Sequence, residues 1–90
     1  MVYDIARSTI ISFGGLNRRY RPDGTTMYLL GNKFNDMKVK GPAPRFNHTM
    51  VYIDSRNIIF LFGGCDRKED KYIPLNDRWI WDGKNWHPVE

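Results

Sequence analysis

The sequence predicts an all-β protein made of two consecutive copies of one four-stranded antiparallel unit. Residues 1–15, MVYDIARSTIISFGG, and residues 50–64, MVYIDSRNIIFLFGG, align without a gap at an offset of 49. They are identical at Met1/Met50, Val2/Val51, Tyr3/Tyr52, Arg7/Arg56, Ile10/Ile59, Phe13/Phe62, Gly14/Gly63 and Gly15/Gly64. Eight identities in fifteen positions mark a tandem repeat. The apolar residues are mostly β-branched or aromatic, and no segment shows the apolar period of a helix, so each copy reads as strands. Turn residues separate the short apolar runs.

In the first unit the strands are expected at Met1 to Ile5, Thr9 to Phe13, Met27 to Leu30 and Asp36 to Val39. In the second, Asn47 to Ile53 forms the first strand and Asp54-Ser55-Arg56-Asn57 a polar turn. Ile58-Ile59-Phe60-Leu61-Phe62 is a continuous apolar run, which suits a strand covered on both faces. Gly63-Gly64 ends that strand, because adjacent glycines permit positive φ and close backbone approach. A polar loop leads to the third strand, Arg78 to Trp81. Asp82-Gly83-Lys84 then turns the chain tightly into Asn85 to Val89, since Asp-Gly between aromatic strands is a strong hairpin signal.

Composition narrows the function classes. A 41% hydrophobic chain of 90 residues is globular rather than disordered, and large enough for one small domain. No apolar run reaches the roughly 18–20 residues of a membrane-spanning helix, so no membrane partner is expected. The net charge of +4 admits an acidic partner but falls short of a dedicated nucleic-acid binder. Met1 leads directly into Val-Tyr-Asp without a secretory leader pattern. The single cysteine, Cys65, excludes an internal disulfide and points to a reducing, intracellular and cytoplasmic setting, where the Asn47-His48-Thr49 glycosylation pattern is inert. No Cys/His cluster offers a zinc site, and no metal or cofactor is expected.

Four antiparallel strands in about 50 residues is the signature of a β-propeller blade. The double glycine Gly63-Gly64 after an apolar strand, followed by Trp79 and Trp86, resembles the kelch repeat. The lead-in Gly41-Pro42-Ala43-Pro44-Arg45-Phe46-Asn47-His48 is similar to that family's Pro-Arg-x-x-His. Asn76-Asp77-Arg78-Trp79 and Trp81-Asp82-Gly83 resemble its third strand and following turn. The resemblance covers nearly the whole chain, as one repeat over residues 1–41 and a second over 42–90. The first repeat departs from the pattern: Tyr28 stands where Trp79 does, Met37 replaces the closing tryptophan, and Met1 begins after the point where the lead-in belongs. The implied fold is two four-stranded antiparallel kelch-type blades, part of a larger or assembled β-propeller.

The conspicuous residues then read as structural. Gly14, Gly15, Gly63 and Gly64 are followed by no Lys-Ser/Thr and no helix, so they are strand-end glycines rather than a phosphate loop. Trp79 and Trp81 share one face by alternation; Trp79 and Trp86 are expected to be buried between blades or along a blade edge, Trp81 being the least committed of the three. The resemblance implies that Arg45 and His48 brace neighbouring strands, and no nucleophile is paired with them, so no catalytic residue is assigned. Asp66, Glu69 and Asp70 lack calcium-loop spacing and stand among Arg67, Lys68 and Lys71, as in a solvated loop.

Binding is expected in the loops between second and third strands, 16–26 and 65–75, because loops on a rigid scaffold carry specificity. Arg18, Arg19 and Arg21 around Tyr20 present forked donors and an aromatic platform; Arg67, Lys68, Lys71 and Tyr72 extend them from the second unit. Two blades share one interface and leave two apolar faces bare, so the chain is expected to form a homo-oligomer or to assemble with blades of another chain. Three copies would make six blades. The function expected is a non-enzymatic protein-interaction scaffold or adaptor. Two alternatives are a ribonucleoprotein component with its basic loop on RNA, and a fragment of a kelch-containing enzyme such as a copper oxidase.

Overall fold

The computed structural model describes residues 1–89. In the N-terminal unit, β1 (Val2–Asp4), β2 (Thr9–Phe13), β3 (Thr26–Leu30) and β4 (Lys33–Asp36) form an antiparallel meander in that order. In the C-terminal unit, β5 (Thr49–Ile53) leads through a 3₁₀ turn at Asp54–Arg56 to β6 (Ile58–Phe62). The short strands β7 (Cys65–Lys68) and β8 (Lys71–Pro74) follow, then β9 (Arg78–Trp81) and β10 (Trp86–Val89). The second sheet has the order β5-β6-β9-β10, and β7-β8 is a separate two-stranded hairpin. All pairings are antiparallel, so the expected all-β architecture of two four-stranded antiparallel sheets is present.

The repeat is a repeat of register as well as sequence. Val2 faces Ile11 and Tyr3 faces Ile10, while Val51 faces Phe60 and Tyr52 faces Ile59, each pair displaced by the same 49 residues. The first turns match too: Ser8 and Asn57 both adopt left-handed φ, 54° and 55°.

The two sheets pack against each other with opposite faces. In the N-terminal sheet the buried apolar residues of β2 are Ile11 and Phe13; in the C-terminal sheet those of β6 are Ile59 and Leu61. Since Ile11 is the counterpart of Phe60, and Ile59 of Ile10, the joint brings one face of the first copy onto the other face of the second. Strand side chains alternate between faces, so this inversion assigns every position. Trp81, Trp86, Ile59 and Leu61 from one side meet Ile11 and Phe13 from the other, with Val2, Tyr28, Met37 and Trp79 packed around them. Trp86 lies edge-on to Phe13, with centroids 5.5 Å apart, and 5.3 Å from Trp81.

Polar contacts close the rim of the joint. The buried Asp4 carboxylate accepts from Arg7 Nη1 at 2.8 Å, and that guanidinium continues to the carbonyls of Asn57 (2.9 Å) and Asp82 in the other sheet. Tyr52 Oη accepts from the Ala6 N–H at 3.2 Å.

Three expectations need correction. The fourth strand of the first unit is Lys33–Asp36, not Asp36–Val39. Gly31-Asn32 is a two-residue hairpin turn, with Gly31 at φ 66°, and it starts the return strand immediately after Leu30. Register also shifts the tryptophan counterparts. Met27 opposes Ser12 as Trp79 opposes Leu61, so Met27 holds the Trp79 position and Tyr28 that of Ile80. Phe34, opposite Leu29, corresponds to Trp86, opposite Trp81; Met37 lies beyond the strand and packs on the core. Lastly, residues 65–74 are a hairpin and not an irregular loop, turned by Glu69 and Asp70 at φ 49° and 62°, the two successive positive φ values of a type I′ turn. Among the tryptophans it is Trp81 that is fully buried, with Trp79 only partly so. Trp81 lies directly between Ile59 and Trp86 in the sheet, at the centre of the joint.

Candidate protein-interaction surface

Both loops between second and third strands emerge at the end of the sheets where the double glycines lie, and the lead-in segment runs between them. Gly15 N–H donates to Arg45 O at 2.8 Å, and Arg45 N–H to Asp23 O at 3.2 Å, tying the lead-in to the N-terminal loop. One residue on, Phe46 and Cys65 exchange backbone hydrogen bonds of 2.9 and 2.8 Å, tying it to the C-terminal hairpin. The loops are thus held side by side by an extended segment that belongs to neither.

Arg45 fixes this arrangement. Its side chain is fully buried, donates from Nη1 and Nη2 to the two Asp77 oxygens at 2.6 and 2.8 Å, and reaches the carbonyls of Gly63 (3.0 Å) and Ala43 (3.1 Å). A planar fork matched to a carboxylate is the strongest geometry for such a pair. Asp77 also accepts from Trp79 Nε1 at 2.8 Å. The Arg45 hydrogen bonds, with that of Trp79, hold the Asp77 carboxyl down to about 2 against the opposing effect of burial. His48 lies edge-on to Phe13, with centroids 5.8 Å apart, and its Nδ1 is buried without a hydrogen-bond partner. Burial, opposed by the Phe13 backbone and aided by the Arg45 charge, lowers the His48 pKa below its ordinary value.

The N-terminal loop is shaped by Asn17. Its Oδ1 accepts the N–H groups of Arg19 (2.9 Å) and Arg21 (3.1 Å), and its N–H donates to Arg21 O at 2.9 Å. Tyr20, in left-handed conformation at φ 58°, stands at the tip, 72% exposed. The C-terminal hairpin leans against this loop, as Arg67 Nη1 donates to Tyr20 O at 3.4 Å. The Arg67 guanidinium also lies 6.0 Å from the Tyr72 ring centre, and Tyr72 packs edge-on to Phe46 at 5.8 Å.

Between them lies a cavity of about 380 Å³ lined by Arg19, Arg21, Arg67, Glu69 and Asp70. Three of the expected binding residues therefore converge, from two units distant in sequence. Arg18 is exposed away from the cavity lining, and Lys68 and Lys71 face each other as the closing pair of the β7-β8 turn. The acids on the rim are solvent-exposed, as expected of a solvated loop; Asp70, 92% exposed, accepts a hydrogen bond from Arg67 Nη2 at 2.9 Å. The hairpin pairs Tyr72-Ile73-Pro74 with Cys65-Asp66-Arg67 across a two-residue polar turn that has no glycine to announce it in the sequence. A second cavity, about 420 Å³, opens beside the joint of the sheets, lined by Arg7, Ile11, Tyr28, Met37 and Trp81 among others.

Among the described residues no three His, Cys, Asp or Glu side chains come together as a metal-binding group. Among the described residues no helix is long and apolar enough to cross a membrane. Comparison with family models, with curated proteins and with solved structures finds no match to the chain.

Proposed function

We propose that this chain is a non-enzymatic, kelch-type protein-interaction module: two propeller blades of a larger or assembled ring, with a partner held at the paired loops 16–26 and 65–75. The observation that carries this reading is the convergence of Arg19, Arg21 and Arg67 on one cavity, across a repeat boundary, beside the exposed aromatic Tyr20. Forked cations beside an aromatic ring suit a peptide bearing carboxylates and apolar side chains. The rim acids Glu69 and Asp70 favour a mixed-charge protein surface over a uniformly anionic phosphate backbone, because they would repel the latter. Face-to-face packing of two sheets that repeat in register supports the blade reading, and the reducing compartment inferred from one cysteine fits an intracellular adaptor.

The test is a pull-down from cell extract with wild type and with Arg18, Arg19 and Arg21 changed together to Ser. Recovered partners are expected to be lost with the triple substitution while folding is kept. Unchanged recovery removes the loop from the function. Capture of RNA with strong salt dependence, lost in the same variant, would replace the adaptor reading by the ribonucleoprotein one.

A further inference from the structure

The joint between the two sheets is a template for a second joint, between molecules. Because opposite faces of the two copies meet, the outer face of the C-terminal sheet is the repeat counterpart of the face with which the N-terminal sheet grips its neighbour. Val51, Phe60 and Phe62 stand there for Val2, Ile11 and Phe13; Val51 is 42% exposed and Phe62 44%. The outer face of the N-terminal sheet is correspondingly the counterpart of the gripped face. Tyr3, Ile10, Met27, Leu29 and Phe34 stand for Tyr52, Ile59, Trp79, Trp81 and Trp86, and Tyr3 is 52% exposed.

The polar rim repeats as well. Arg7 crosses the existing joint to the Asn57 carbonyl; Arg56, its counterpart, is exposed and makes no side-chain hydrogen bond or ion pair among the described residues. The carbonyl equivalent to that of Asn57 belongs to Ser8, held in the same left-handed turn. Tyr52 Oη accepts from the Ala6 N–H, and the corresponding groups are Tyr3 Oη, on the outer face of the N-terminal sheet, and the Ser55 N–H, in the turn that follows β5.

We infer that the chain binds a second copy of itself head to tail, the outer face of one C-terminal sheet on the outer face of the next N-terminal sheet, with Arg56 reaching the Ser8 carbonyl of the neighbour. The inference rests on the reading of the chain as a segment of a larger stack and names the partner as the chain itself. It follows from continuity with the joint inside the molecule, which the two outer faces reproduce half each. Two polar members do not repeat: Ile53 replaces Asp4, and Phe34 with Arg78 replaces Trp86 with Thr26. The covalent connector through Arg45 is also absent between molecules. Association is therefore weaker than the intramolecular joint and depends on concentration. Being heterologous, it leads to a ring where the rotation closes and to a filament where it does not.

The test is the mass of the 90-residue chain by light scattering across a concentration series, with Phe62→Glu and Tyr3→Glu as variants. Near-ultraviolet circular dichroism of the buried tryptophans checks that each is folded. The wild type is expected to exceed the mass of one chain as concentration rises. Each variant alone is expected to stay single, and an equimolar mixture of the two to form a one-to-one pair, since each keeps the face the other lacks. Arg56→Ala is expected to shift the wild-type curve to higher concentration. A folded Phe62→Glu chain that still associates, or a Tyr3→Glu chain that associates by itself, overturns the head-to-tail arrangement. A wild type that stays single while its outer faces bind an apolar dye, with that binding lost in Phe62→Glu, overturns self-pairing and leaves the segment reading standing. A single chain that neither pairs nor binds dye overturns both.

Discussion

Trp86 Nε1 donates a 2.9 Å hydrogen bond to Thr26 Oγ1, and this buried contact joins the last strand of the chain to the third strand of the first sheet. Trp86 is 7% exposed and Thr26 2%, so water has little access to either partner. Thr26→Val keeps the shape and removes the acceptor, leaving a buried indole N–H unpaired. The expected loss is about 1–3 kcal/mol of unfolding free energy by urea titration, with Thr26→Ser costing clearly less. Equal losses for Val and Ser would show that the methyl packing, and not the hydrogen bond, matters.

Arg45 and Asp77 form an asymmetric pair: the guanidinium is fully buried, whereas the carboxylate side chain is 43% exposed. Removing the acid strands a buried charge, while removing the arginine leaves an aspartate that water can reach. Asp77→Ala is therefore expected to destabilise more than Arg45→Met, by about 1–3 kcal/mol of its own, below the full cost of breaking an enclosed pair because solvent screens Asp77. The Asp77 carboxyl, held at about 2 against an ordinary 3.8, binds its proton more readily unfolded than folded. Its contribution to stability is full above 3.8 and disappears as pH falls towards 2. Denaturation midpoints over that interval should decline more steeply in wild type than in Asp77→Ala.

His48 titrates with the same sign by a different cause. Burial beside Phe13 favours the neutral ring and lowers its pKa from 6.5. The unfolded chain then takes up the proton first on acidification, so the associated stability is present above 6.5 and is lost as pH falls below it. Replacing His48 by Leu should flatten that part of the stability profile. Parallel profiles would exclude His48 as the source.

Gly15 and Gly64 have nearly the same φ, 97° and 95°, but different surroundings. A Cβ on Gly15 meets nothing within 4 Å, whereas one on Gly64 would lie 2.8 Å from the Phe46 carbonyl oxygen and 2.9 Å from His48 Cβ. Gly15→Ala is expected to cost about 1–2 kcal/mol from conformation alone. For Gly64→Ala, overpacking against the lead-in adds about 1–3 kcal/mol more. Thermal midpoints falling equally for both would mean the lead-in moves aside freely.

Local structure was legible in the residues: the tandem repeat, the strand character of each apolar run, and most turns. These are written in alternation, β-branched content and turn residues, which act over a few neighbours. Gly31-Asn32 is itself a hairpin signal and places the fourth strand directly after Leu30, whereas Glu69-Asp70 carries no glycine to announce its hairpin. The choice of buried face came from the packing of one sheet against the other. Ile10 and Ile11 are equally apolar, as are Ile59 and Phe60, so alternation cannot tell which member faces the joint. Only the packing of one sheet on the other chose Ile11 in the first copy and Ile59 in the second. For the same reason Trp81, and not Trp79, became the centre of the core. The gathering of Arg19, Arg21 and Arg67 likewise depended on contacts through Arg45 and Phe46, which join residues far apart in the chain. Periodicity fixes which residues share a face, and only a neighbouring surface decides which of the two faces leaves the water.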